Sequence, residues 1–237
     1  MVEASTYVLI PGAWHGAWSW RPVAERLRAE GHQAITLTLP GLSDGDDPAG
    51  YKLCDAVDYI VDEVRQLKFD KVILVPHSWG AYPATGAAHF LADRICKIVY
   101  YNGLVPIRGK SLIDDNPPEM RELMLRLIHE SPNGAITYPL EYVEQLLMQG
   151  VAPELQRLVA DLLSPQPGRY FLDALDTPDA VTLGVPIAYI ASDSDHAVQW
   201  PGAEFAARLA VEPIVVPGTH DSMLTHPDEV AEAILAA

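Results

Sequence analysis

The chain has 237 residues, of which 49% are hydrophobic and 20% are charged. This length and composition allow one sizeable domain with a packed core and argue against a disordered chain. The 32 acidic residues outnumber the 16 basic ones, and the net charge of −16 argues against a nucleic-acid-binding surface and against docking to anionic membranes.

The sequence has few features that indicate a cellular location, disulfide bonds or a structural metal. Cys54 and Cys96 are too few for a disulfide framework or a zinc ribbon, and we expect two reduced, partly buried thiols. The first residues carry no basic segment, and the apolar run at 7–10 is too short for a signal peptide or a membrane span. We therefore expect a cytoplasmic protein of one domain, and the sequence leaves open whether it forms a homodimer.

Short apolar segments alternate with helical patterns along most of the chain. Strands are predicted over 7–10, 33–39, 71–75, 95–101, 187–191 and 213–216. Helices are predicted over 20–30, 53–67, 79–92, 203–209 and 228–235. This alternation predicts an α/β fold, with a mostly parallel central sheet and helices on both of its faces.

The first strand leads into a loop of small and aromatic residues, Pro11 to Trp18. A loop in this place can supply a backbone N–H to a developing oxyanion, and Ala13 is the candidate donor. Gly12 and Trp14 are expected to contact the substrate. His15 is expected to shape the loop from beneath rather than to act in catalysis.

The third strand leads into Pro76-His77-Ser78-Trp79-Gly80 and then into a helix. A serine in such a strand-to-helix turn is typical of a nucleophile elbow. We predict Ser78 as the nucleophile and the backbone N–H of Trp79 as the second oxyanion donor. His77 is expected to pack against the turn.

Residues 107–182 depart from the alternating pattern, because they contain helical segments without a convincing strand. We interpret them as a helical cap inserted between core segments 1–106 and 183–237. Apolar and aromatic residues of this segment favour a small apolar or aromatic substrate, although helical spacing also makes them candidates for the core. These residues are Met120, Leu123, Met124, Leu127, Tyr138, Tyr142, Leu146 and Met148.

The last two strands are followed by an acid and a histidine. Asp193 and Asp195 compete for the role of the triad acid, and their spacing after the strand favours Asp195. His220 follows the final strand and suits a general base, and Met223 beyond it is expected to contact the substrate. The chain order Ser78, Asp195, His220 is the order of the α/β-hydrolases, not of the chymotrypsin or subtilisin types.

With these residues the sequence resembles the small cofactor-free esterases of the α/β-hydrolase superfamily. This group includes plant methylesterases, salicylate-binding esterases and hydroxynitrile lyases. The resemblance covers nearly the whole chain and implies an α/β-hydrolase fold, a helical cap, a Ser78-His220-Asp195 triad, oxyanion donors at Ala13 and Trp79, and no cofactor. The segments that carry it are 11–18, 76–80, Asp195 and 218–220.

The sequence departs from the family in two pairs of positions. Pro11 and Pro76 stand where the family usually has His and Gly. The lyase branch typically has Thr at the position of Gly12 and Lys at the position of His196, so both polar groups of that branch are missing.

Three functions remain open at this level. The first is a serine hydrolase that cleaves a carboxylic ester or lactone through an acyl-enzyme. The second is a lyase, or another triad reaction without an acyl-enzyme, and the third is a non-catalytic ligand-binding protein. Asp193, Asp195, His196 and His220 have side chains that can bind a metal, but no metal-binding motif supports such a site, and none is predicted.

Overall fold

The computed structural model describes residues 4–237. Six of the eight strands form one sheet in the order β2-β1-β3-β4-β7-β8, with every neighbouring pair parallel. The predicted parallel α/β architecture is confirmed. In chain order the strands are β1 (Thr6–Ile10), β2 (Gln33–Thr36), β3 (Val72–Pro76), β4 (Ile95–Tyr101), β5 (Ala135–Ile136), β6 (Gln166–Pro167), β7 (Ile187–Ser192) and β8 (Pro213–Val216).

Helices connect these strands and cover the sheet. They are α1 (Arg21–Ala29), α2 (Leu53–Gln66), α3 (Ala81–Phe90), α4 (Leu112–Asp115), α5 (Pro118–Glu130), α6 (Leu140–Tyr142), α7 (Pro153–Leu162), α8 (Arg169–Leu172), α9 (Gly202–Arg208), α10 (Ser222–Thr225) and α11 (Pro227–Ala236). Short 3-10 turns lie at Ala17–Trp20, Ser78–Gly80 and Ala180–Leu183, and a π-helical turn extends α6 over Val143–Leu147. Within residues 4–237 no helix combines the length and hydrophobicity needed to cross a bilayer.

The core lies on both sides of the sheet, and for this reason all five residues of β1 are buried. On one face the apolar stripe of α2, including Ile60 and Val64, packs with α3 residues such as Ala84. On the other face Val23 of α1 and Ile234 of α11 close the core. Alternating side chains of each strand therefore contribute to two cores.

The segment between β4 and β7 is mostly helical, with α4 to α8. It also contains the antiparallel pair of β5 and β6, in which Ala135 faces Pro167 and Ile136 faces Gln166. The expectation of no strand over 107–182 is corrected by this pair, whose two residues a side are too short to give a periodic pattern. The cap boundaries themselves stay a prediction.

Both cysteines are free, as expected, but Cys54 and Cys96 are exposed rather than partly buried. The loops that contain the candidate site residues follow β1, β3, β7 and β8. Because the strands are parallel, these loops meet at one edge of the sheet, where open α/β sheets bind ligands.

Candidate active site

Ser78 occupies the sharp turn between β3 and α3. Its φ is +50°, a left-handed conformation that is rare for residues other than glycine. The turn is closed by the Gly80 N–H, which donates to the His77 carbonyl at 2.8 Å. Ser78 is largely buried and lines a cavity at the edge of the sheet. This is the geometry expected of a nucleophile elbow.

Gly80 lets this turn pack against the loop after β1. A Cβ added at Gly80 would overlap the carbonyl oxygen of Pro11. A backbone oxygen cannot rotate away as a side chain can, so the two loops would have to separate. We expect Gly80→Ala to lower the free energy of unfolding by about 1–3 kcal/mol, measured by urea denaturation.

Gly103→Ala is the matched control for this substitution. The nearest atoms to a Cβ at Gly103 are Cβ and Cδ1 of Tyr100, both at 3.2 Å, which is a tight contact but not the overlap that a Cβ at Gly80 would make. We expect Gly103→Ala to cost less than Gly80→Ala. Equal losses in the two variants would contradict the packing role assigned to Gly80.

The loop after β1 is fastened to the inserted segment through Trp14. Trp14 has a φ of +65° and donates its backbone N–H to Gln166 Oε1 and its indole N–H to the Ile136 carbonyl, each at 2.8 Å. Its own carbonyl accepts from the Ser164 N–H at 2.9 Å. The Ala13 N–H has no backbone acceptor among residues 4–237, and Ala13 lines the cavity. This N–H is therefore available to an oxyanion.

Trp79 is held firmly by its side chain. Its indole N–H donates to the Tyr170 carbonyl at 3.2 Å, and the two rings stack with their centroids 4.7 Å apart. Its backbone N–H lies in the first turn after Ser78, where N–H groups have no acceptor within the helix. Trp79, Ala13 and Ser78 line the same cavity, as two oxyanion donors beside a nucleophile must.

Asp195 and His220 form a buried pair. His220 Nδ1 donates to Asp195 Oδ2 at 2.8 Å, and both side chains are less than a tenth exposed. The other carboxylate oxygen of Asp195 accepts from the Ala197 N–H at 2.8 Å. Asp195 therefore holds the imidazole with Nε2 as its free, basic nitrogen.

Asp193, the competing acid, has a different role. It is exposed, and its Oδ1 accepts from the Gly218 N–H at 3.0 Å and from the Ser194 hydroxyl at 2.9 Å. Asp193 thus joins the loops after β7 and β8, while Asp195 contacts the histidine. This arrangement gives different contacts to the two acids that compete in the sequence, of which the spacing after the strand favours Asp195.

The carboxylate of Asp195 also sets the basicity of His220. Burial by itself would lower the pKa of His220, but the charge and hydrogen bond of Asp195, with a further contribution from Asp221, raise this pKa above its usual 6.5. His77 is affected in the opposite sense, because burial, followed by the neighbouring His220 and His15, holds its pKa well below 6.5. His77 is therefore neutral beside a more basic His220.

Ser78 and His220 line one cavity of about 340 Å³. Within the described part of the chain, no hydrogen bond engages His220 Nε2, and none yet joins it to the Ser78 hydroxyl. Nucleophile–base bonds of this kind often tighten only when a substrate binds. The Ser78 hydroxyl and the free Nε2 of His220 therefore lie along the same cavity.

The wall of the cavity is mostly apolar and comes largely from the inserted segment. Among residues 4–237, no Lys, Arg, Asp or Glu lines it. Seven of the eight apolar and aromatic residues singled out in this segment line the wall, and the eighth, Met148, is fully buried within the segment. The seven are Met120, Leu123, Met124, Leu127, Tyr138, Tyr142 and Leu146.

Of the three predicted substrate contacts, only Trp14 lines the cavity. Met223 is fully buried in the core beneath α1 and α11 and does not reach the cavity, which corrects that expectation. Gly12 lies behind Ser78, since a Cβ there would stand 2.8 Å from Ser78 Cβ. Its role is close packing against the nucleophile turn.

Sequence reasoning missed several buried polar residues around the site. Asn102 Nδ2 donates to the His220 carbonyl at 3.0 Å, and Asn102 Oδ1 accepts from the Ser192 N–H at 2.8 Å. Gln166 and Asp221 were not singled out either. A single polar residue in an apolar surrounding carries no periodic signal, so only the fold reveals these contacts.

One group of side chains has the composition of a metal site. His77, His220 and Asp221 each place a ligand atom within 4.8 Å of the others. Two of the ring nitrogens are already engaged, because His77 Nε2 donates to the His220 carbonyl at 3.2 Å and His220 Nδ1 is bonded to Asp195. Hydrogen bonds therefore occupy one nitrogen of each ring, and the expectation of no metal or cofactor stays a prediction.

Comparison with known proteins gives the same picture of the fold. A model described as "Alpha/beta hydrolase family" matches residues 7–233. The chain belongs to the alpha/beta hydrolase family. Its six-stranded parallel sheet, with the Ser78 turn after β3, is the framework on which this hydrolase places the residues described above.

Relatives of this hydrolase include proteins named as esterases. A "Carbendazim hydrolyzing esterase" of Nocardioides sp. (strain SG-4G) is 29% identical, covering 98% of this chain and 99% of its own. "Methylesterase 18" of Arabidopsis thaliana is 26% identical, over 98% and 96% of the two chains.

A solved structure also resembles the hydrolase closely in fold. An extracellular alpha/beta-hydrolase from a Paenibacillus species superposes with a TM-score of 0.89, at 24% identity and over 98% of each chain. At this identity the likeness supports the fold alone. The predicted resemblance to the methylesterase-like group is confirmed by the family match and these relatives.

Proposed function

We propose that this hydrolase is a serine esterase that cleaves small uncharged carboxylic esters through an acyl-enzyme on Ser78. One observation carries the proposal. A strained serine and a histidine bonded to a buried carboxylate open into a single cavity whose wall has no charged aspartate, glutamate, lysine or arginine. The similarity to proteins named as esterases supports the same reaction class.

In the acylation step, His220 Nε2 accepts the proton of the Ser78 hydroxyl as its oxygen attacks the ester carbonyl. The carbonyl oxygen becomes an oxyanion, which the N–H groups of Ala13 and Trp79 stabilise by about 3 kcal/mol each. Asp195 stabilises the imidazolium that forms. His220 then gives its proton to the leaving alcohol, and an ester of Ser78 remains.

In the deacylation step, His220 takes a proton from water, and the hydroxide oxygen attacks the acyl carbonyl. The same two N–H groups hold the second oxyanion. As this intermediate collapses, the proton returns from His220 to the Ser78 oxygen and the carboxylic acid leaves. The cycle needs no group beyond the residues of the site and water.

The apolar wall sets the substrate class. A volume of about 340 Å³ is at the small end for ligand pockets. A substrate carboxylate buried against Met124, Leu127 or Leu146 would lose its hydration and find no Lys or Arg in the described wall to pair with. We therefore assign neutral aromatic or aliphatic esters to this cavity.

The test compares two esters of nearly equal shape, methyl 4-methylbenzoate and the anion of monomethyl terephthalate. Leaving a buried charge unpaired costs roughly 3 kcal/mol or more, so we expect the neutral ester to have a kcat/KM at least about 100-fold higher. Release of methanol is measured for both. Equal kcat/KM values for the two esters would contradict the proposed substrate class. If the protein hydrolysed neither of these esters nor activated aryl esters, the esterase function itself would be contradicted.

A further inference from the structure

A second carboxylate lies buried beside the triad, and the mechanism above does not use it. Asp221 follows His220 in the chain, and its side chain is 0% exposed. Burying an ionised carboxylate is costly unless partners hold it. Within residues 4–237 no Lys or Arg pairs with Asp221, and its neighbours are histidines. The contacts of the Asp221 carboxylate therefore indicate its role.

The two carboxylate oxygens of Asp221 have different surroundings. Oδ2 lies 3.1 Å from His15 Nε2. Oδ1 makes no hydrogen bond in the described part of the chain and lies 4.0 Å from His77 Nε2. A ring nitrogen of His220 also lies within 4.8 Å of this carboxylate. Asp221 is therefore bonded to His15 and close to His77 and His220.

The positions of the hydrogen-bond donors show that His15 and Asp221 together are uncharged. His15 Nδ1 lies 2.7 Å from the Ala13 carbonyl, which can only accept, so Nδ1 carries a hydrogen. A contact of 3.1 Å between Nε2 and Oδ2 then requires one more proton, held by the imidazole or by the carboxyl group. In either state the pair as a whole is uncharged, and this explains how a carboxylate can lie so deep.

His77 is not the partner that holds the Asp221 carboxylate. Its Nε2–H is donated to the His220 carbonyl at 3.2 Å, and its Nδ1 has no partner in the described chain. Burial, then the neighbouring His220 and His15, keep the pKa of His77 well below 6.5, so its ring is neutral. The Tyr101 hydroxyl also faces this region and is neutral, because burial raises its pKa.

We propose that His15 and Asp221 act as one buried positioning unit that fixes the oxyanion loop after β1 relative to the general base after β8. The bonds run from the Ala13 carbonyl through His15 to Asp221, the residue covalently attached to His220. Asp221 N–H also donates to the Leu147 carbonyl of the inserted segment at 3.2 Å. The unit rests on the proposed function, since positioning matters only where Ala13 and His220 serve one reaction.

Asp221→Ala removes the bond to His15 and frees the loop to shift. Small displacements of groups that hold a transition state cost up to about 100-fold in rate. We expect kcat for 4-nitrophenyl butyrate to fall about 10- to 100-fold, with KM changed less than about threefold. The loss falls on kcat because Asp221 does not line the cavity and so does not touch bound substrate.

Asp221→Asn separates positioning from charge. The amide N–H can donate to the bare Nε2 of a neutral His15, so the bond survives without a carboxylate. We expect this variant to recover kcat to within about threefold of the wild type. His15→Ala should lower kcat by as much as Asp221→Ala does. The double variant should have a kcat no lower than that of the less active single variant, because residues of one unit do not have additive effects.

Asp228→Ala is the control, because Asp228 is exposed and pairs only with Arg26 on the surface. Hydrogen exchange followed by mass spectrometry adds a readout that needs no substrate. Exchange in the peptide over residues 11–16 should accelerate in Asp221→Ala and not in Asp228→Ala. Unchanged kcat and exchange in Asp221→Ala would overturn the proposal, as would an Asn variant no better than the Ala variant. A wild type that does not hydrolyse esters refutes the esterase instead, and the exchange result still decides the positioning.

Discussion

Ser78→Ala should abolish ester hydrolysis while the fold survives. The hydroxyl oxygen forms the bond to the acyl group, so no other atom of the site can replace it. Removal of a nucleophile that acts with a base and an acid costs about 10⁶-fold in kcat. Residual turnover would come from the Ala13 and Trp79 donors alone.

The measurement for this variant is the initial rate on 4-nitrophenyl butyrate, with urea denaturation to show that folding is unchanged. Ser43→Ala is the control, because Ser43 is exposed and lies outside the cavity. We expect Ser43→Ala to keep the wild-type rate. Substantial activity in purified Ser78→Ala would show that another residue attacks the ester.

Asp195→Asn should lower kcat by about 10⁴-fold. Asp195 accepts from His220 Nδ1 and so leaves Nε2 as the basic nitrogen. An amide can donate instead and stabilise the tautomer with its proton on Nε2, which cannot take a proton from Ser78. Asp193→Asn is a matched control in the same loop, since the exposed Asp193 does not contact His220. A comparable loss in both variants would contradict the assignment of Asp195.

The pH dependence of kcat/KM is a second test of the role of Asp195. His220 must be neutral to act as a base, and its pKa is raised above 6.5, so wild-type activity should fall as the pH drops through that raised value. In Asp195→Asn burial still lowers the pKa of His220, while the largest opposing influence is gone. The acidic limb of the residual kcat/KM profile should therefore move to lower pH. A limb that stays in place or moves to higher pH would contradict this role.

Much of the fold could be predicted from hydrophobic pattern. Buried parallel strands are near-continuous apolar runs, and β4 and β8 have the bounds that their apolar segments predict. The strand after His32 is shorter than predicted. The Leu37 N–H still donates to the Leu9 carbonyl at 3.1 Å, but β2 ends at Thr36, and Leu39 continues into the core beyond the ladder. Apolar pattern reports burial, and it cannot tell where a hydrogen-bonded ladder ends.

The candidate site follows from sequence where position after a strand determines it. Ser78, Asp195 and His220 each come just after a strand of a parallel sheet, and the topology brings them to one edge. Met223 shows the limit of this reasoning. It lies three residues beyond His220, yet the first turn of α10 points it into the core.

Contacts between distant segments could not be predicted. Gln166 reaches the Trp14 N–H across 152 residues, and Asp221 reaches His15 across 206. Each is one polar side chain whose partner is defined only by the packing of the inserted segment and the sheet. Such contacts carry no local signature, and in our proposal they hold the loop after β1 in place.

The most direct test of the central claim is mass spectrometry of the protein after reaction with a small fluorophosphonate. Our account predicts one adduct on the wild type, mapped to the peptide that contains Ser78, and none on Ser78→Ala. The reaction needs the activated serine and the oxyanion donors but no knowledge of the natural substrate. A folded wild-type protein without an adduct, or with its adduct on another residue, would contradict the assignment of Ser78 as the nucleophile.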